Sequence, residues 1–184
     1  MKSRGLFKLY QSVLQRRPYL IQAIQTGTLM GAGDLISQCV FENKSMGSVD
    51  FKRTLRFSSI GFFIGGPALR LWYGILNKHI GSSGKTVAIK KVLFDQFVFA
   101  PTFLFVLLSI VGASQGKDWK IIKRDLNSNY FEVLKTNYYI WPWVQLANFY
   151  YVPLQYQVLL VQSVALFWNT YLAWKTNKTA PLEE

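Results

Sequence analysis

Three ionisable side chains stand within long apolar runs of this sequence, where a charge needs a physical reason. They are Asp34, Arg70 and Asp95. Each would cost about 2.5–3.5 kcal/mol near the centre of a lipid bilayer unless it had a partner or met water. Such groups either hold helices together or line a polar path for ions and small solutes. At the level of the sequence both interpretations are open.

The order of these charges along the chain predicts two ion pairs. Asp34 lies near the end of the first apolar run and Arg56 near the start of the second, so both should lie toward one side of a membrane. Arg70 and Asp95 have the same relation on the opposite side. We therefore predict one ion pair in each couple, with snorkelling of the charges to lipid head groups as the alternative.

Gln145 and Asn148 add polar groups to a later stretch, residues 136–174, that contains no charge. They stand three residues apart, so they share one face of a helix. We predict that they join the four charged residues in an intramembrane polar set. That set lines a pore or stabilises the helix bundle.

Enzyme chemistry is not predicted. Gly31-Ala32-Gly33-Asp34 has the Gly-x-Gly-Asp form of intramembrane aspartyl proteases, with Asp95 as a candidate second carboxylate. A dyad needs two carboxylates that share a proton, whereas the order of the apolar runs places these two toward opposite faces. Cys39 and His79 are single residues of their types, which is too few for a zinc site or a disulfide. We predict no catalytic residue, no metal site and no cofactor.

The elements that must position these residues are predicted to be membrane-spanning helices. Apolar residues make up 51% of the chain and charged residues 16%, whereas soluble domains carry about 25% charged residues. A helical span needs about 20 mainly apolar residues. Four regions provide them: residues 18–40, 54–76 and 92–113, and a kinked last span within 138–174. The whole chain, 1–184, is predicted to be a single membrane domain.

The last apolar region is too long for one straight span. Pro142 and Pro153 are expected to break or kink it, and a tight helical hairpin with an extra crossing is the alternative. Residues 116–135 carry charges with apolar residues at helical spacing, which predicts an amphipathic interfacial helix or, alternatively, a solvated loop. The predicted fold class is an all-α polytopic membrane protein with about four transmembrane helices and one amphipathic interfacial helix.

Small residues predict where two helices meet closely. Gly27 and Gly31 stand four apart in the first predicted span, and Gly61 and Gly65 do so in the second. This spacing puts both glycines of a pair on one helix face and lets the backbones approach each other. We therefore predict tight helix packing at these four positions.

The net charge of +12 predicts contact with anionic lipids, which attract basic residues near the membrane surface. The basic residues are scattered around the spans and not gathered in one domain, so no nucleic-acid contact is expected. A homo-oligomer is left open. Residues 1–33 contain five basic and no acidic side chains, which is typical of a mitochondrial targeting helix or of the basic flank of a first span.

Several motifs resemble those of one family of membrane proteins. They are Gly31-Ala32-Gly33-Asp34 with Gln38, Arg53 with Gly65-Gly66-Pro67 and Trp72-Tyr73, Lys91 with Asp95-Gln96 and Pro101, residues 137–149 with Val152-Pro153, and Trp168 with Tyr171-Leu172. The motif at 137–153 contributes Trp141, Pro142, Gln145, Asn148, Phe149 and Pro153. In their order and spacing these motifs resemble the Mpv-seventeen family, which also contains the peroxisomal membrane protein twenty-two.

The resemblance implies a four-span organelle membrane protein, in a family whose members are described as non-selective or weakly selective channels. The C-terminal motif is most similar to the mitochondrial inner-membrane branch, which is linked to mitochondrial DNA maintenance. We therefore expect a channel-like protein of that membrane, contributing to solute and metabolite homeostasis and to mitochondrial DNA maintenance. A non-conducting membrane scaffold and a peroxisomal membrane pore are the alternatives.

Overall fold

The computed structural model describes residue 12 and residues 16–82, 84–152 and 154–178. The first eleven residues, which carry three of the five basic residues of the predicted targeting segment, lie outside the described residues, and so does Pro153. Within the described part every regular element is helical, and no strand occurs. The predicted all-α class is therefore confirmed.

Five long helices build the described part of the chain, and we number them α1 to α5. Helix α1 is Pro18–Ile36 and continues as a π-helical turn, Ser37–Phe41. The others are α2, Phe51–Ile80; α3, Lys85–Ser114; α4, Trp119–Tyr151; and α5, Leu154–Lys178. A short 3-10 turn, Met46–Ser48, lies between α1 and α2.

Local sequence signals explain where the helices begin and turn. Helix α1 has Pro18 in its first turn, where the missing N–H costs nothing. Asp50 caps α2, since its Oδ1 accepts a hydrogen bond from the backbone N of Arg53 at 3.0 Å. Gly81 and Gly84 flank the α2–α3 turn with φ of 117° and 116°, a conformation that glycine adopts readily.

Two prolines inside α2 and α3 are accommodated by π-helical turns. These turns are Gly61–Gly65 and Asp95–Phe99. Pro67 and Pro101 follow them by two residues each. A proline ring clashes with the carbonyl four residues earlier, and those carbonyls, of Phe63 and Phe97, belong to the wider turns. Both helices therefore continue through their prolines.

Successive helices run in opposite directions, as in an up-and-down bundle. Two contacts fix the direction of each neighbouring pair of helices. Helices α1 and α2 meet at Gly27–Gly61 and Asp34–Arg53, and helices α2 and α3 meet at Asn77–Lys91 and Trp72–Asp95. Helices α3 and α4 meet at Gln96–Asn137 and Pro101–Tyr130. Helices α1 and α5 run in the same direction, since Gly33 approaches Asn169 and Phe41 stacks near Trp174. The five helices thus enclose one interior.

The kinked last span predicted within residues 138–174 is wrong, because this stretch forms a helical hairpin. Glu132 pairs with Lys175 at 2.5 Å and the Trp141 and Trp168 rings lie 6.2 Å apart, so α4 and α5 are antiparallel. Pro142 lies inside α4 and does not end it. Neighbouring helices can satisfy the backbone group that a proline frees, and the chain turns only after Tyr151.

The predicted interfacial segment, residues 116–135, is the first half of α4 and not a separate helix. The loop alternative is wrong, because the segment is helical from Trp119 onward. Ile122 and Leu126 are buried, whereas Lys123 and Arg124 between them are exposed. This half of α4 therefore has the amphipathic character that its sequence predicts.

Two described helices, α2 and α3, are long and apolar enough to cross a membrane. They contain the predicted spans 54–76 and 92–113. Their outward faces carry large exposed apolar side chains, such as Phe63 (73% exposed) and Phe97 (70% exposed). Exposed apolar surface of this kind marks a membrane or protein contact.

The interior contains a compact apolar cluster toward one end of the bundle. Its buried members are Met30, Phe57, Ile60, Leu104, Leu107, Val111, Val133, Trp168, Leu172 and Ala173. They come from all five helices, so this cluster joins the whole bundle. Polar side chains occupy much of the remaining interior, and they form the candidate site.

Candidate functional site

Asp34 lies in the first of two buried polar clusters and forms an ion pair with Arg53. The side chain of Asp34 is fully buried, and its Oδ1 accepts from Arg53 Nε at 2.6 Å. Its Oδ2 accepts from Gln38 Nε2 at 2.9 Å and from Thr54 Oγ1 at 2.6 Å. Each carboxylate oxygen thus has a donor, as a buried charge requires.

The predicted ion pair between Asp34 and Arg56 is wrong. Arg53 and Arg56 both lie in the first two turns of α2, but Arg53 is 7% exposed and faces α1, whereas Arg56 is on the exposed side. The sequence indicated the correct pair of helices and the correct ends of those helices. It chose the wrong one of two arginines three residues apart.

Arg53 extends the first cluster to the α1–α2 connection and to α5. Its guanidinium binds Glu42 through two contacts, of 2.7 and 2.9 Å, and reaches the backbone O of Ala173 at 3.5 Å. Burial raises the pKa of Glu42, but Arg53 and Lys44 outweigh it, so that the pKa lies below its usual value. The first cluster therefore holds three parts of the chain together.

Asp95 lies in the second buried cluster, which contains neutral donors. It is 5% exposed. Its Oδ1 accepts from Trp72 Nε1 at 3.0 Å, and its Oδ2 accepts from Gln96 Nε2 at 2.8 Å and from Gln145 Nε2 at 3.4 Å. The carboxylate is therefore satisfied by hydrogen bonds without a neighbouring cation.

The predicted ion pair between Arg70 and Asp95 is also wrong. Arg70 is exposed, and its guanidinium carbon lies 5.8 Å from the centre of the Tyr19 ring on α1. Trp72, two residues further along α2, is the residue that reaches Asp95. Two residues correspond to about 200° around a helix, so Arg70 and Trp72 point in nearly opposite directions.

Gln145 and Asn148 lie beside Asp95 in the second cluster. Gln145 Nε2 also donates to the Tyr73 hydroxyl at 2.6 Å, and Asn148 Nδ2 donates to Gln145 Oε1 at 3.4 Å. Both residues are 2% exposed. The structure therefore brings three of the six predicted polar residues together and leaves the other three elsewhere.

Further members of the second cluster were missed at the level of the sequence. Asn137 Nδ2 donates to Gln96 Oε1 at 3.1 Å, and the Tyr138 hydroxyl donates to the backbone O of Gln96 at 3.0 Å. Gln96 and Asn137 are uncharged polar residues in apolar surroundings, as Gln145 and Asn148 are. The same criterion applied to every amide side chain would have identified them.

A central cavity of about 790 Å³, part of it open to the outside, adjoins the second cluster. Its polar lining comes from all five helices and consists of Thr26, Tyr73, Asp95, Gln96, Asn137, Gln145, Gln162 and Asn169. Apolar side chains such as Phe99, Trp141 and Trp168 complete the wall. A mainly apolar wall with a few convergent polar groups is typical of small-molecule sites.

Two further cavities lie beyond the ends of the central one. The basic cavity, about 690 Å³, is lined by Arg70 and Lys91 together with neutral residues that include Asn148 and Phe149. The end cavity, about 420 Å³, is lined by Lys117, Asp125 and Lys175 among others. Like the central cavity, both include space that is open to the outside.

The three cavities follow one another in the same order along three helices. Along α3 and the residue that follows it, Lys91 lines the basic cavity, residues within 95–107 line the central cavity, and residues within 108–115 line the end cavity. In α4 the lining runs in reverse, from 122–133 (end) through 137–145 (central) to 148–149 (basic). Helix α5 shows the same order, since Gln162 lines the basic cavity and Lys175 and Thr176 line the end cavity. The cavities therefore form a segmented path through the bundle.

Side chains partition this path at two places. Tyr73, Val161 and Gln162 line both the basic and the central cavity and thus stand between them. Leu107 and Leu172 line the central cavity, Val111 and Val133 line the end cavity, and all four belong to the buried apolar cluster. The second partition is therefore apolar and closed.

The four glycines predicted to pack closely all lie where α1 meets α2. A Cβ atom added at Gly27 would lie 2.9 Å from the backbone O of Ser58, and one at Gly31 would lie 2.1 Å from Ser58 Oγ. At Gly61 it would lie 2.7 Å from the backbone O of Thr26, and at Gly65 3.0 Å from Thr26 Cγ2. Side chains at Gly27 and Gly61, where the nearest atoms are backbone, would force the two helices apart, whereas at Gly31 and Gly65 the nearest atoms belong to the side chains of Ser58 and Thr26.

The family motif residues of α4 lie on the path. Trp141 packs edge to face on Trp168 and both line the central cavity. Phe149 lines the basic cavity, and its ring lies 6.2 Å from that of Tyr73. Pro142 lies within α4.

Asp34 and Asp95 do not form a dyad, since they lie in separate clusters with no donor in common among the described residues. Nor does the described part of the chain contain a group of three or more His, Cys, Asp or Glu side chains that could hold a metal ion.

Comparisons with known proteins identify the family. The profile of the Mpv17 / PMP22 family matches residues 112–173. The chain is 46% identical to the mitochondrial inner membrane protein Mpv17 of Xenopus laevis over 175 residues, covering 95% of this chain and 99% of that one. It is 43% identical to the human protein of that name over 178 residues, with the same coverage.

The protein of that name from Danio rerio is 42% identical over 174 residues, covering 95% of this chain and 98% of that one. No solved structure matches the chain. The names of these three relatives confirm the predicted mitochondrial inner membrane location. With such similarity along nearly its whole length, the chain belongs to the Mpv17 / PMP22 family, as its motifs predicted.

Proposed function

We propose that this protein is a channel for small polar solutes across the mitochondrial inner membrane. The observation that carries the proposal is the order of the three cavities, which follow one another along α3, α4 and α5. A bundle that only bridged the bilayer would gain stability from filling this space, because buried voids lose packing energy. The voids instead have polar side chains in their walls.

The two partitions assign roles to individual side chains in this channel. Tyr73 and Gln162 form a polar constriction between the basic and central cavities, and Gln145 holds the Tyr73 hydroxyl through a hydrogen bond of 2.6 Å. Leu107, Val133 and Leu172 form an apolar gate at the other end of the central cavity. Apolar constrictions close a pore by excluding water, so the described conformation corresponds to a closed state.

Asp95 is the charge that the central cavity presents to a solute. It is the one carboxylate in the cavity's described lining. Its hydrogen-bond donors are neutral, so its negative charge is not cancelled locally. A negative side chain in a pore wall favours cations over anions of the same size. We assign Asp95 as a determinant of charge preference.

The membrane arrangement belongs to this proposal. Helices α1, α2 and α3 and the α4–α5 hairpin supply the crossings, with the amphipathic first half of α4 at the interface. The net charge of +12 supports contact with anionic lipids. No catalytic role is proposed for any residue. A contribution to solute homeostasis and through it to mitochondrial DNA maintenance is the expected consequence of conduction.

Single-channel recording of the purified full chain in planar bilayers tests this function. We expect conductance from the wild type, a higher open probability for Val133→Ala, which shortens a side chain of the apolar gate, and a reduced cation preference for Asp95→Asn. Phe167→Ala is the matched control, because Phe167 is 77% exposed and lines none of the three cavities.

The same recordings decide against the alternative function. The closed apolar gate also fits a non-conducting scaffold whose interior merely holds the helices together. Folded wild-type protein and Val133→Ala protein that both stay silent at every voltage and pH would establish the scaffold and refute the channel.

A further inference from the structure

The basic cavity contains a buried cation with no carboxylate partner. Lys91 is 6% exposed, and its Nζ donates to Asn77 Oδ1 and lies 5.6 Å from the centre of the Phe149 ring. Among the described residues no carboxylate oxygen lies within 4.0 Å of it. An ammonium group has three donors, and one neutral amide and a ring face do not neutralise its charge.

Arg53, the other buried cation among the described residues, is paired, which makes Lys91 unusual. It pairs with Asp34 at 2.6 Å, and the half-buried Lys117 pairs with Asp125 at 2.8 Å. A buried charge without a counter-charge is strongly unfavourable, and within membrane proteins such residues mark ligand or ion pathways. The difference between Lys91 and the two paired cations therefore indicates that its counter-charge comes from outside the chain.

The rest of the cavity wall has the chemistry of an oxyanion site. Arg70 is a second cation in the lining, and no carboxylate belongs to that lining. Its guanidinium lies near the face of the Tyr19 ring, and a guanidinium can bind two oxygens of a phosphate or carboxylate at once. Asn148 also lines the cavity, and its buried Oδ1 has no hydrogen-bond partner among the described residues.

The geometry points to a binding site for a phosphate-bearing ligand in the basic cavity, with Lys91 and Arg70 as its cationic groups. Asn148 Oδ1 accepts from a hydroxyl of the ligand, as hydrogen phosphate or a phosphomonoester would supply. The space of about 690 Å³ falls within the usual range for small-molecule pockets. The ligand is either a free phosphate-bearing solute or the head group of an anionic phospholipid, since both present phosphate oxygens to the two cations.

The phosphate site extends the proposed channel function only if its ligand is a free solute. If the ligand is a free solute, its bound phosphate places negative charge at the mouth of the proposed cation-preferring channel, and that conclusion rests on the channel proposal. If the ligand is a lipid head group, the site is a structural lipid site and stands without conduction. Binding is therefore measured separately from current.

The test uses the full chain in nanodiscs of neutral phosphatidylcholine, titrated with inorganic phosphate and followed by calorimetry and thermal unfolding. We expect saturable phosphate binding to the wild type. Lys91→Gln should weaken it about tenfold or more, because a charge-assisted hydrogen bond is worth about 1.5–3 kcal/mol. The control is Lys90→Gln, which removes the same charge from the adjacent, exposed position and should change the affinity less than about twofold.

A second set of nanodiscs that contain phosphatidylglycerol distinguishes the two sources of phosphate. Stabilisation by the anionic lipid that Lys91→Gln abolishes, with no response to inorganic phosphate, identifies a head-group site. Equal responses of wild type, Lys91→Gln and Lys90→Gln to both ligands would overturn the site. Circular dichroism checks the fold, and Arg70→Gln, at an exposed position, repeats the test if Lys91→Gln does not fold.

Conduction and binding can fail separately. Lys91-dependent phosphate binding by a protein that carries no current would refute the channel and retain the site. Current through a protein that binds neither phosphate nor anionic lipid through Lys91 would retain the channel and refute the site.

Discussion

Replacing Gly61 by alanine tests the contact between α1 and α2 on which the bundle depends. The added Cβ would lie 2.7 Å from the backbone O of Thr26 and 2.9 Å from the Cα of Gly27. Both neighbours are backbone atoms of α1, so no side-chain rotation can relieve the contact. Ordinary contact begins at 3.4 Å, and the helices must separate locally by the difference, 0.7 Å.

The expected cost follows from measured effects of overpacking. Inserting a methyl group into a well-packed interior destabilises a protein by about 1–3 kcal/mol. Gly74 provides the matched control within the same helix, since a Cβ there meets nothing within 4 Å. Gly74→Ala should stabilise the helix by about 0.5–1 kcal/mol, because glycine is the poorer helix former. The two alanine variants should thus change the free energy of unfolding in opposite directions.

The assay is reversible unfolding in mixed micelles with increasing mole fraction of a denaturing detergent, followed by circular dichroism. Both variants leave the aromatic side chains and the net charge unchanged, so their curves can be compared directly. Equal midpoints for Gly61→Ala and Gly74→Ala would refute the close approach of α1 and α2. Because Thr26 also lines the central cavity, Gly61→Ala should in addition alter the conductance of the proposed channel.

Two further predictions concern the first polar cluster. Arg53→Gln should lower the free energy of unfolding by about 3–5 kcal/mol, because it leaves Asp34 buried without its counter-charge. Arg56→Gln, at the exposed position, should lower it by less than about 1 kcal/mol. Equal midpoints of the two variants in detergent unfolding would contradict the observed ion pair. The lowered pKa of Glu42 implies stability that is present above its ordinary pKa of 4.5 and is lost as the pH falls through the lowered value. The melting temperature of the wild type should therefore fall between neutral and acidic pH, and Glu42→Gln should reduce that fall. A fall of the same size in the variant would show that Glu42 does not contribute.

Helix positions were largely predictable because lipid leaves the chain few options. Long apolar runs must form helices to satisfy their backbone hydrogen bonds, and α2 and α3 contain the predicted spans 54–76 and 92–113. The last region was misassigned, since Pro142 in the sequence looks the same whether a helix stops there or continues. The wider packing of the bundle decides that question.

Side-chain partners were less predictable than helices. The order of the spans gives the membrane side on which a charge lies, and Asp34 indeed pairs with an arginine at the start of α2. It does not give the rotation of each helix, which separates Arg53 from Arg56 and Trp72 from Arg70. The π-helical turn at Asp95–Phe99 also changes the rotation of its helix, and the charge pattern of the sequence does not predict this turn.

The cavities were beyond reach of the sequence for a related reason. Gln145 and Asn148 could be placed on one helix face, but the opposite wall comes from α2, α3 and α5. Tyr73 and Gln162 meet there only after five helices have packed. The size of a cavity depends on how the side chains of several helices pack together, and the spacing of residues along one helix does not give that information.

The two buried carboxylates have different surroundings, and these surroundings separate structural from functional charge. Asp34 has a cationic partner and lines none of the three cavities, so its charge is cancelled where it lies. Asp95 has neutral donors and lines the central cavity, so its charge remains available to a solute.

Neutralising each carboxylate with the isosteric amide should therefore give opposite phenotypes. Asp34→Asn should lower the unfolding midpoint, by leaving Arg53 without its buried partner, and should leave the ion preference of the remaining folded protein unchanged. Asp95→Asn should cost less stability than Asp34→Asn, because the amide oxygen can still accept from a neutral donor and no buried cation loses its partner. It should shift the ion preference toward anions, because it removes the negative charge from the cavity wall. If both variants changed stability alone, the second cluster would be structural like the first, and the charge preference assigned to the central cavity would have no basis.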